Sequence, residues 1–390
     1  MANALIAMLI LVSGFKNYVR LQRVMWIAIL LSFGTMLFVL FTTAAADVAG
    51  KLNAFSTAIG GSGTFYQDSI AAAQAGGVNL NPAFSLVATL LVAPIAWTSL
   101  QWATYSAQQN GEIKSAGSFR NQLYIIVGSL VLTGVLLAIL AWVLQNTIGT
   151  EFLYVAGAGY WGYADVSLAG SYLWPNIIAT ALANNPIVTI LIAFGFILNG
   201  HQIVHNCYIG MTRVMVAMSL DRLLPEMVSR VSDRLHTPVN AHVIYFIASL
   251  PVIWLYSNFA LDSADGTTTT WASITLGVTF GCGYVFIGTA LAGALLPFRA
   301  KALYEASPGS QYKFLGVPLV TIVGVIGTIA GLYFLYLFLL SPELGMNSTL
   351  AYTVSAGVIV FALGWYIVTK LARRSAGINV DYAFKEIPPE

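Results

Sequence analysis

Long uninterrupted runs of apolar residues dominate the chain, and polar residues concentrate between them. Because the runs do not alternate between apolar and polar positions, they predict helices rather than the strands of a barrel. A helix that crosses a bilayer needs about 20 such residues. Eight stretches qualify: about 24–46, 83–107, 121–145, 186–213, 241–257, 271–297, 314–340 and 350–371. A shorter apolar run over 3–14 predicts part of a further span. Residues 1–371 thus form a transmembrane region, and 372–390 form a polar tail.

Composition points to the same class of protein. Of the 390 residues, 58% are hydrophobic and 8% are charged, whereas soluble domains carry about 25% charged residues. Lipid must therefore cover much of the surface, and only structures that satisfy their own backbone groups persist there. The net charge of +2 offers no basic face for nucleic acid. No spacing of Cys, His or carboxylates is typical of a metal site, and no cofactor is expected.

The distribution of Lys and Arg predicts the orientation. When the chain is threaded through the eight spans, one set of loops and adjoining helix ends holds all of the 17 Lys and Arg residues except Lys51. The positive-inside rule makes that set cytoplasmic, together with the C-terminus, in the plasma membrane. The outer set comprises 47–82, 146–185, 258–270 and 341–349. Within it, the partly apolar stretch 177–182 is either a short helix at the outer mouth or part of an interfacial anchor around Trp174.

No Asp, Glu, Lys or Arg falls in the middle of a span. Intramembrane charges usually mark proton or ion paths, so a pump with a buried carboxylate relay is disfavoured. Polar residues instead follow Pro94 in the span 83–107. Proline either kinks this helix or breaks it into halves whose dipoles hold a substrate. The residues next to that point are Ala96, Trp97, Thr98, Ser99 and Gln101.

A second polar group lies in the span 186–213. It contains Asn199, His201, Gln202 and His205, and the two histidines share a helix face because they are four residues apart. These side chains either join helices by hydrogen bonds or line a cavity. An alternative function uses His201 and His205 in a membrane-embedded structural or haem-binding electron-transfer subunit. In the following loop, apolar residues from Leu223 to Val231 recur at helical spacing, which predicts a short amphipathic helix.

Several motifs are spread over essentially the whole chain. They are Gly14-Phe15-Lys16 followed by Gln22, Gly111-Glu112-Ile113-Lys114, the run from Arg213 through Asp221-Arg222 to Pro225, Thr237-Pro238-Val239-Asn240-Ala241, and the tail from Gly377 to Glu390. In kind and order, these motifs resemble those of amino acid permeases of the amino acid–polyamine–organocation superfamily.

The resemblance implies a leucine-transporter-like inverted-repeat fold with the second repeat complete and the first partial. The chain would begin inside the fourth of twelve spans, and it is expected to lack about three and a half spans. In that family, substrate contacts the sixth and eighth spans, whose counterparts here are 83–107 and 186–213. Two departures stand out. A glycine that usually follows the aromatic residue of the sixth span is absent, and the fifth-span lysine of many proton-coupled members is replaced by apolar residues near Ile29.

By that resemblance, the implied substrate-binding residues are Ala96, Trp97, Thr98, Ser99, Gln101, Asn199, His201 and Gln202. The implied residues of the cytoplasmic gating loops are Glu112, Lys114, Arg213, Asp221 and Arg222. The expected function is secondary active transport of amino acids or related small amines by alternating access, with H⁺ or Na⁺ as the open choices of coupling ion, and not an enzymatic reaction. Because part of the family's substrate site would be missing, two alternatives stay open for a chain of this extent: transport by itself, or no transport without a further segment.

Overall fold

The computed structural model describes residues 1–109, 117–259, 269–340 and 349–381. Helices make up most of this part of the chain, which confirms the predicted all-α class. The helices are α1 Ala2–Val12, α2 Phe15–Thr42, α3 Val48–Ala58, α4 Phe65–Ala75, α5 Leu86–Leu91, α6 Ala93–Leu100, α7 Tyr105–Gln108, α8 Phe119–Tyr160, α9 Pro175–Ala183, α10 Pro186–Leu220, α11 Val239–Phe259, α12 Thr269–Arg299, α13 Lys301–Ala306, α14 Leu319–Leu340 and α15 Thr349–Ser375. Two short antiparallel strands, β1 Lys313–Phe314 and β2 Val317–Pro318, form a hairpin before α14.

Seven segments of the described chain are long and apolar enough to cross a membrane. They are Phe15–Thr42, Leu86–Gln108, Phe119–Tyr160, Pro186–Leu220, Phe280–Arg299, Leu319–Leu340 and Tyr352–Ser375. Large apolar side chains on these helices face outward: Phe38, Ile197 and Phe361 are 67%, 69% and 70% exposed. Exposed apolar surface of this extent is typical of contact with lipid. The chain is therefore a polytopic membrane protein. Within α11, the stretch Val239–Trp254 is a shorter apolar helix.

The chain divides into two compact units. Unit one comprises Met1–Phe84, Val131–Ile209 and Ser232–Thr237. Unit two comprises Ser85–Leu130, Gly210–Val231 and Pro238–Glu390.

Unit one contains a helical layer built from segments that the sequence placed in outer loops. α3 and α4 lie within 47–82, and α9 confirms the short helix expected at 177–182. α8 continues past the predicted end at residue 145, and it breaks at Gly149, whose φ of 81° favours glycine. The layer has an apolar core that includes the fully buried side chains of Met36, Leu40, Leu52, Phe152, Ile178, Leu182 and Ile192.

Tyr66 joins two helices of this layer. Its ring stacks on that of Phe152 with a centroid distance of 4.5 Å and an interplanar angle of 10°, and its backbone N–H donates to Oδ1 of Asn53 over 2.8 Å. Burial raises the pKa of the Tyr66 phenol, and the nearby Glu151 carboxylate raises it further because two negative charges repel. The neutral phenol is therefore favoured in the folded layer.

Glycines allow α12 and α14 of unit two to pack closely. A Cβ atom added at Gly324 would lie 2.5 Å from the carbonyl oxygen of Ala290, and one added at Gly331 would lie 2.5 Å from Cγ1 of Ile287. Small residues at such positions let helix backbones approach each other in membranes. The hydroxyl of Thr321 also donates to the carbonyl of Ala294 over 3.1 Å.

Two predicted features differ from the structure. The amphipathic helix from Leu223 to Val231 is wrong: after α10 ends at Leu220, only a 3₁₀ turn forms, over Glu226–Val228. Arg222 adopts a left-handed φ of 63°, so α10 cannot continue into this segment. The span predicted to start at residue 314 begins instead at Leu319, because the preceding residues form the β-hairpin.

Candidate functional site

The helix predicted over 83–107 is interrupted in two places. α5 ends at Leu91 and α6 begins at Ala93, and a 3₁₀ turn over Gln101–Thr104 separates α6 from α7. Pro94 explains the first interruption, because it has no N–H to donate to the carbonyl one turn earlier. The backbone stays in the right-handed helical region at Val92 and Gln101, and Leu86–Gln108 forms one apolar span, so the structure shows a helix disturbed at these points rather than two separate halves.

The Trp97 indole lies among aromatic and aliphatic side chains of unit two. Its ring centroid is 4.7 Å from that of Phe334 and 5.8 Å from that of Phe286. It packs against the buried cluster of Phe280, Leu335 and Phe338. The half-buried indole therefore anchors α6 to α12 and α14 through apolar contact, in addition to the substrate-stacking role implied by the resemblance.

The hydroxyls that follow Trp97 already donate hydrogen bonds within α6. Thr98 Oγ1 donates to the carbonyl of Pro94 over 2.9 Å, and Ser99 Oγ donates to that of Ile95 over 3.1 Å. Their lone pairs remain available to accept hydrogen bonds, so this pair suits a donor such as an ammonium group. Ala96 is exposed on the same helix, and the Gln101 side chain is buried in the 3₁₀ turn.

The second polar group lies in unit one, where α10 meets α1 and α2. His201 Nδ1 contacts Oδ1 of Asn3, and the Tyr18 hydroxyl donates to Oδ1 of Asn206 over 2.6 Å. The rings of His201 and His205 meet edge-to-face, with centroids 4.5 Å apart. These bonds join helices, as polar groups do in apolar surroundings. Of the other predicted residues here, Asn199 is exposed and Gln202 is half-buried.

His205 is the most buried member of this group. Its side chain has no exposed surface, and its Nδ1 lies 2.8 Å from the carbonyl oxygen of His201. Because a carbonyl oxygen only accepts, Nδ1 carries the hydrogen and Nε2 presents a lone pair. Nε2 is buried and has no hydrogen-bond partner within the described part of the chain. A buried acceptor without a donor costs about 1–3 kcal/mol.

α2 and α10 run antiparallel past His205. Tyr18 pairs with Asn206, and further along Ser32 Oγ donates to the carbonyl of Ile192 over 2.9 Å. This register places Gln22, one turn beyond Tyr18, level with residue 202 of α10. The Nε2 amide nitrogen of Gln22 is buried and has no hydrogen-bond partner. A buried donor and a buried acceptor without partners therefore lie about one turn apart.

The predicted gating residues occupy separate places. Arg213 belongs to α10, Asp221 follows that helix, and Arg222 adopts the left-handed turn. Glu112 and Lys114 lie outside the described residues.

The segment after α10 is held by a contact that the sequence did not reveal. Arg373 of α15 donates from Nε to the carbonyl of Arg222 over 3.1 Å and from Nη2 to that of Leu224 over 3.2 Å. Trp365 Nε1 donates to the carbonyl between them, that of Leu223, over 3.1 Å. Arg373 belongs to the basic end of the last span, so its charge was visible in the sequence and its partners were not.

The predicted substrate residues fall in different units. Ala96 to Gln101 belong to unit two, and Asn199 to Gln202 belong to unit one. Asn206 follows His205 in the second polar group and Gln22 follows a family motif, but the sequence assigned neither a partner. Tyr18 was missed because isolated polar residues near the ends of apolar spans are common in membrane helices. Among the described residues, no group of three or more His, Cys, Asp or Glu side chains could hold a metal ion.

Comparisons with protein-family models, with curated proteins and with solved structures found no match to this chain.

Proposed function

We propose that this chain belongs to a secondary transporter of amino acids or related small amines, working by alternating access and residing in the plasma membrane with its C-terminus in the cytoplasm. The observation that carries the proposal is the local disturbance of the apolar helix from Leu86 to Gln108 at Pro94 and again at Gln101–Thr104. In transporters, membrane helices disturbed in this way typically line substrate sites, because the backbone groups that they free coordinate polar ligands inside the bilayer.

The chemistry next to the interruption fits an amine-bearing solute. Thr98 and Ser99 hold hydroxyl oxygens that can accept from an ammonium group, and Trp97 adds an aromatic ring that a cation or an apolar side chain can contact. The resemblance to amino acid permeases supports the same solute class. The one-sided placement of Lys and Arg supports the orientation.

Uptake by the full chain in proteoliposomes tests the proposal. The standard L-amino acids are supplied singly as radiolabelled solutes, and we expect uptake of at least one above that of empty vesicles. Ser99→Ala and Trp97→Phe should weaken that uptake by roughly tenfold if each loses one substrate contact of about 1.4 kcal/mol. Thr189→Ala is the matched control for Ser99, since its hydroxyl also donates to a carbonyl four residues back, over 3.0 Å, at the start of α10. Absence of uptake for every amino acid, together with no rise in the melting temperature of the chain on adding any of them, contradicts the proposal.

The alternative of a haem-binding or structural subunit has less support. Two axial imidazoles must lie on opposite sides of a porphyrin, whereas the rings of His201 and His205 touch each other on one helix. A Soret band in the visible spectrum of the purified protein would favour the haem alternative over transport.

A further inference from the structure

The lone pair of His205 Nε2 is a proton acceptor at a fully buried side chain. No group among the described residues donates to it. The other nitrogen is fixed as the protonated one by the His201 carbonyl. An imidazole in this state differs from its charged form by one proton at one defined atom, Nε2.

Among the described residues of α1, α2 and α10, no carboxylate compensates a positive charge on His205. The titratable rings that face it are those of Tyr18 of α2, whose centroid is 6.5 Å away, and of His201 of α10 itself, and the charged residue of α10 is Arg213, two turns further along. α1, α2 and α10 contain no Asp or Glu. The basic residues of α2 are exposed, as are the charged and titratable residues of the segment 232–237, whose Leu235 carbonyl lies beside Gly14. These exposed residues are Lys16, Arg20, Arg23, Asp233, Arg234 and His236.

We propose that His205 Nε2 binds the coupling proton of the transporter. The inference rests on the proposed function and names its coupling ion. One N–H bond forms when the Nε2 lone pair takes a proton from water at one membrane face, and the same bond breaks when the proton leaves to water at the other face. No electron transfer is involved, and the imidazole regains its neutral form after each cycle.

Proton binding at this atom changes which conformation is stable. A buried imidazolium without a counter-charge is unfavourable in an apolar site. Protonation of His205 therefore destabilises the packing of α2 on α10 described here, because no acceptor among the described residues contacts the new Nε2–H group. The amide nitrogen of Gln22, about one turn away, is also buried without a hydrogen-bond partner among the described residues. A ligand that binds one of two conformations better shifts the population toward it.

Nitrogen-15 NMR of the full chain in lipid nanodiscs tests proton binding directly. The chain has 4 histidines, so the His205 signals are assigned by comparison with His205→Gln. At the alkaline end, we expect the neutral tautomer with hydrogen on Nδ1. On acidification toward about pH 5, both nitrogens should become protonated. A His205 ring that remains neutral throughout, or that carries its hydrogen on Nε2, overturns the proposal.

Proton movement during uptake tests coupling. Vesicles loaded with a pH-sensitive dye should acidify when an accepted L-amino acid is added outside. Wild-type uptake should change by roughly tenfold between about pH 5 and 8. A change of this size corresponds to a typical coupling free energy between two binding sites, here those of the proton and the amino acid. His205→Gln should lose both the acidification and the pH dependence. His236→Asn is the control and should keep both, because His236 is exposed and asparagine tolerates its left-handed φ of 52°.

The outcomes separate the two proposals. Uptake without acidification, or with unchanged pH dependence in His205→Gln, overturns the proton site and leaves transport standing. Absence of any uptake, together with no rise in the melting temperature on adding any amino acid, overturns transport and coupling together, whatever the NMR titration shows. If His205→Gln does not fold, assignment of the wild-type His205 signal by single-site labelling replaces the comparison, and acidification by the wild type decides coupling.

Discussion

The phenol of Tyr18 on α2 donates a hydrogen bond of 2.6 Å to Oδ1 of Asn206 on α10, and the two residues are 188 positions apart in the chain. The bond fixes the register of the two helices beside His205. Tyr18→Phe should lower the free energy of unfolding in detergent by about 1 kcal/mol, because it leaves a half-buried amide oxygen without its donor. Tyr163→Phe is the control, since that side chain is 53% exposed.

A double-mutant cycle separates this bond from other effects of the ring. Tyr18→Phe and Asn206→Leu are measured singly and together by chemical unfolding. If the hydrogen bond contributes, the double variant should be less destabilised than the sum of the two single variants. Strict additivity would contradict a direct interaction between the two side chains.

Close packing of α12 on α14 makes Gly324 sensitive to size. Gly324→Ala should lower the melting temperature and cost about 1–3 kcal/mol, because the added Cβ meets the backbone of Ala290 and Ala294 at 2.5–2.9 Å. Gly357→Ala is the matched control in α15, where a Cβ meets nothing within 4 Å. Equal melting temperatures for the two variants would show that the helices do not approach as described.

Arg373 restrains the segment that follows α10. Arg373→Met removes two donors to the carbonyls of Arg222 and Leu224. Bonds to a charged group stabilise by about 1.5–3 kcal/mol each, and exposure reduces this value. We expect hydrogen exchange of the amides at 221–224 to accelerate by roughly tenfold, read by mass spectrometry. Arg374→Met, which removes a neighbouring exposed cation, should leave that exchange rate unchanged.

The Tyr66 phenol should ionise at a higher pH than free tyrosine. Since its pKa is raised in the folded layer, the unfolded chain binds fewer protons above about pH 10 and stability falls as pH rises through that region. Below about pH 10, both states keep the proton, and this group gives no pH dependence. Glu151→Gln should lower the Tyr66 pKa, measured as the phenolate absorbance difference between each protein and its Tyr66→Phe counterpart.

A matching change at Asp68 provides the control for that titration. Asp68 lies on the same helix as Tyr66, and its carboxylate accepts hydrogen bonds from Ser62 and Thr64. It does not contribute to the raised pKa of Tyr66. Asp68→Asn should therefore leave the Tyr66 titration in place, and a shift equal to that of Glu151→Gln would contradict the assignment.

The apolar runs by themselves determined that this chain is helical and lies in a membrane. Burial of apolar surface and satisfaction of backbone groups act within each segment, so length and hydropathy are sufficient evidence. Pro94 marked a disturbance of its helix for the same local reason. The side of the membrane on which Lys51 lies and the solute that the protein carries are predictions from the sequence.

Tertiary contacts decided the rest. The segments at 47–82 and 146–185 read as loops because α3, α4 and α9 are short, and their stability comes from a shared core around Leu52, Phe152 and Ile178. The apolar spacing from Leu223 to Val231 predicted a helix that does not form, since carbonyls there bond to Arg373 and Trp365 of a distant helix. Likewise, sequence spacing placed His201 and His205 on one face, but only the packing of α2 and α10 buries one imidazole and leaves its Nε2 without a partner.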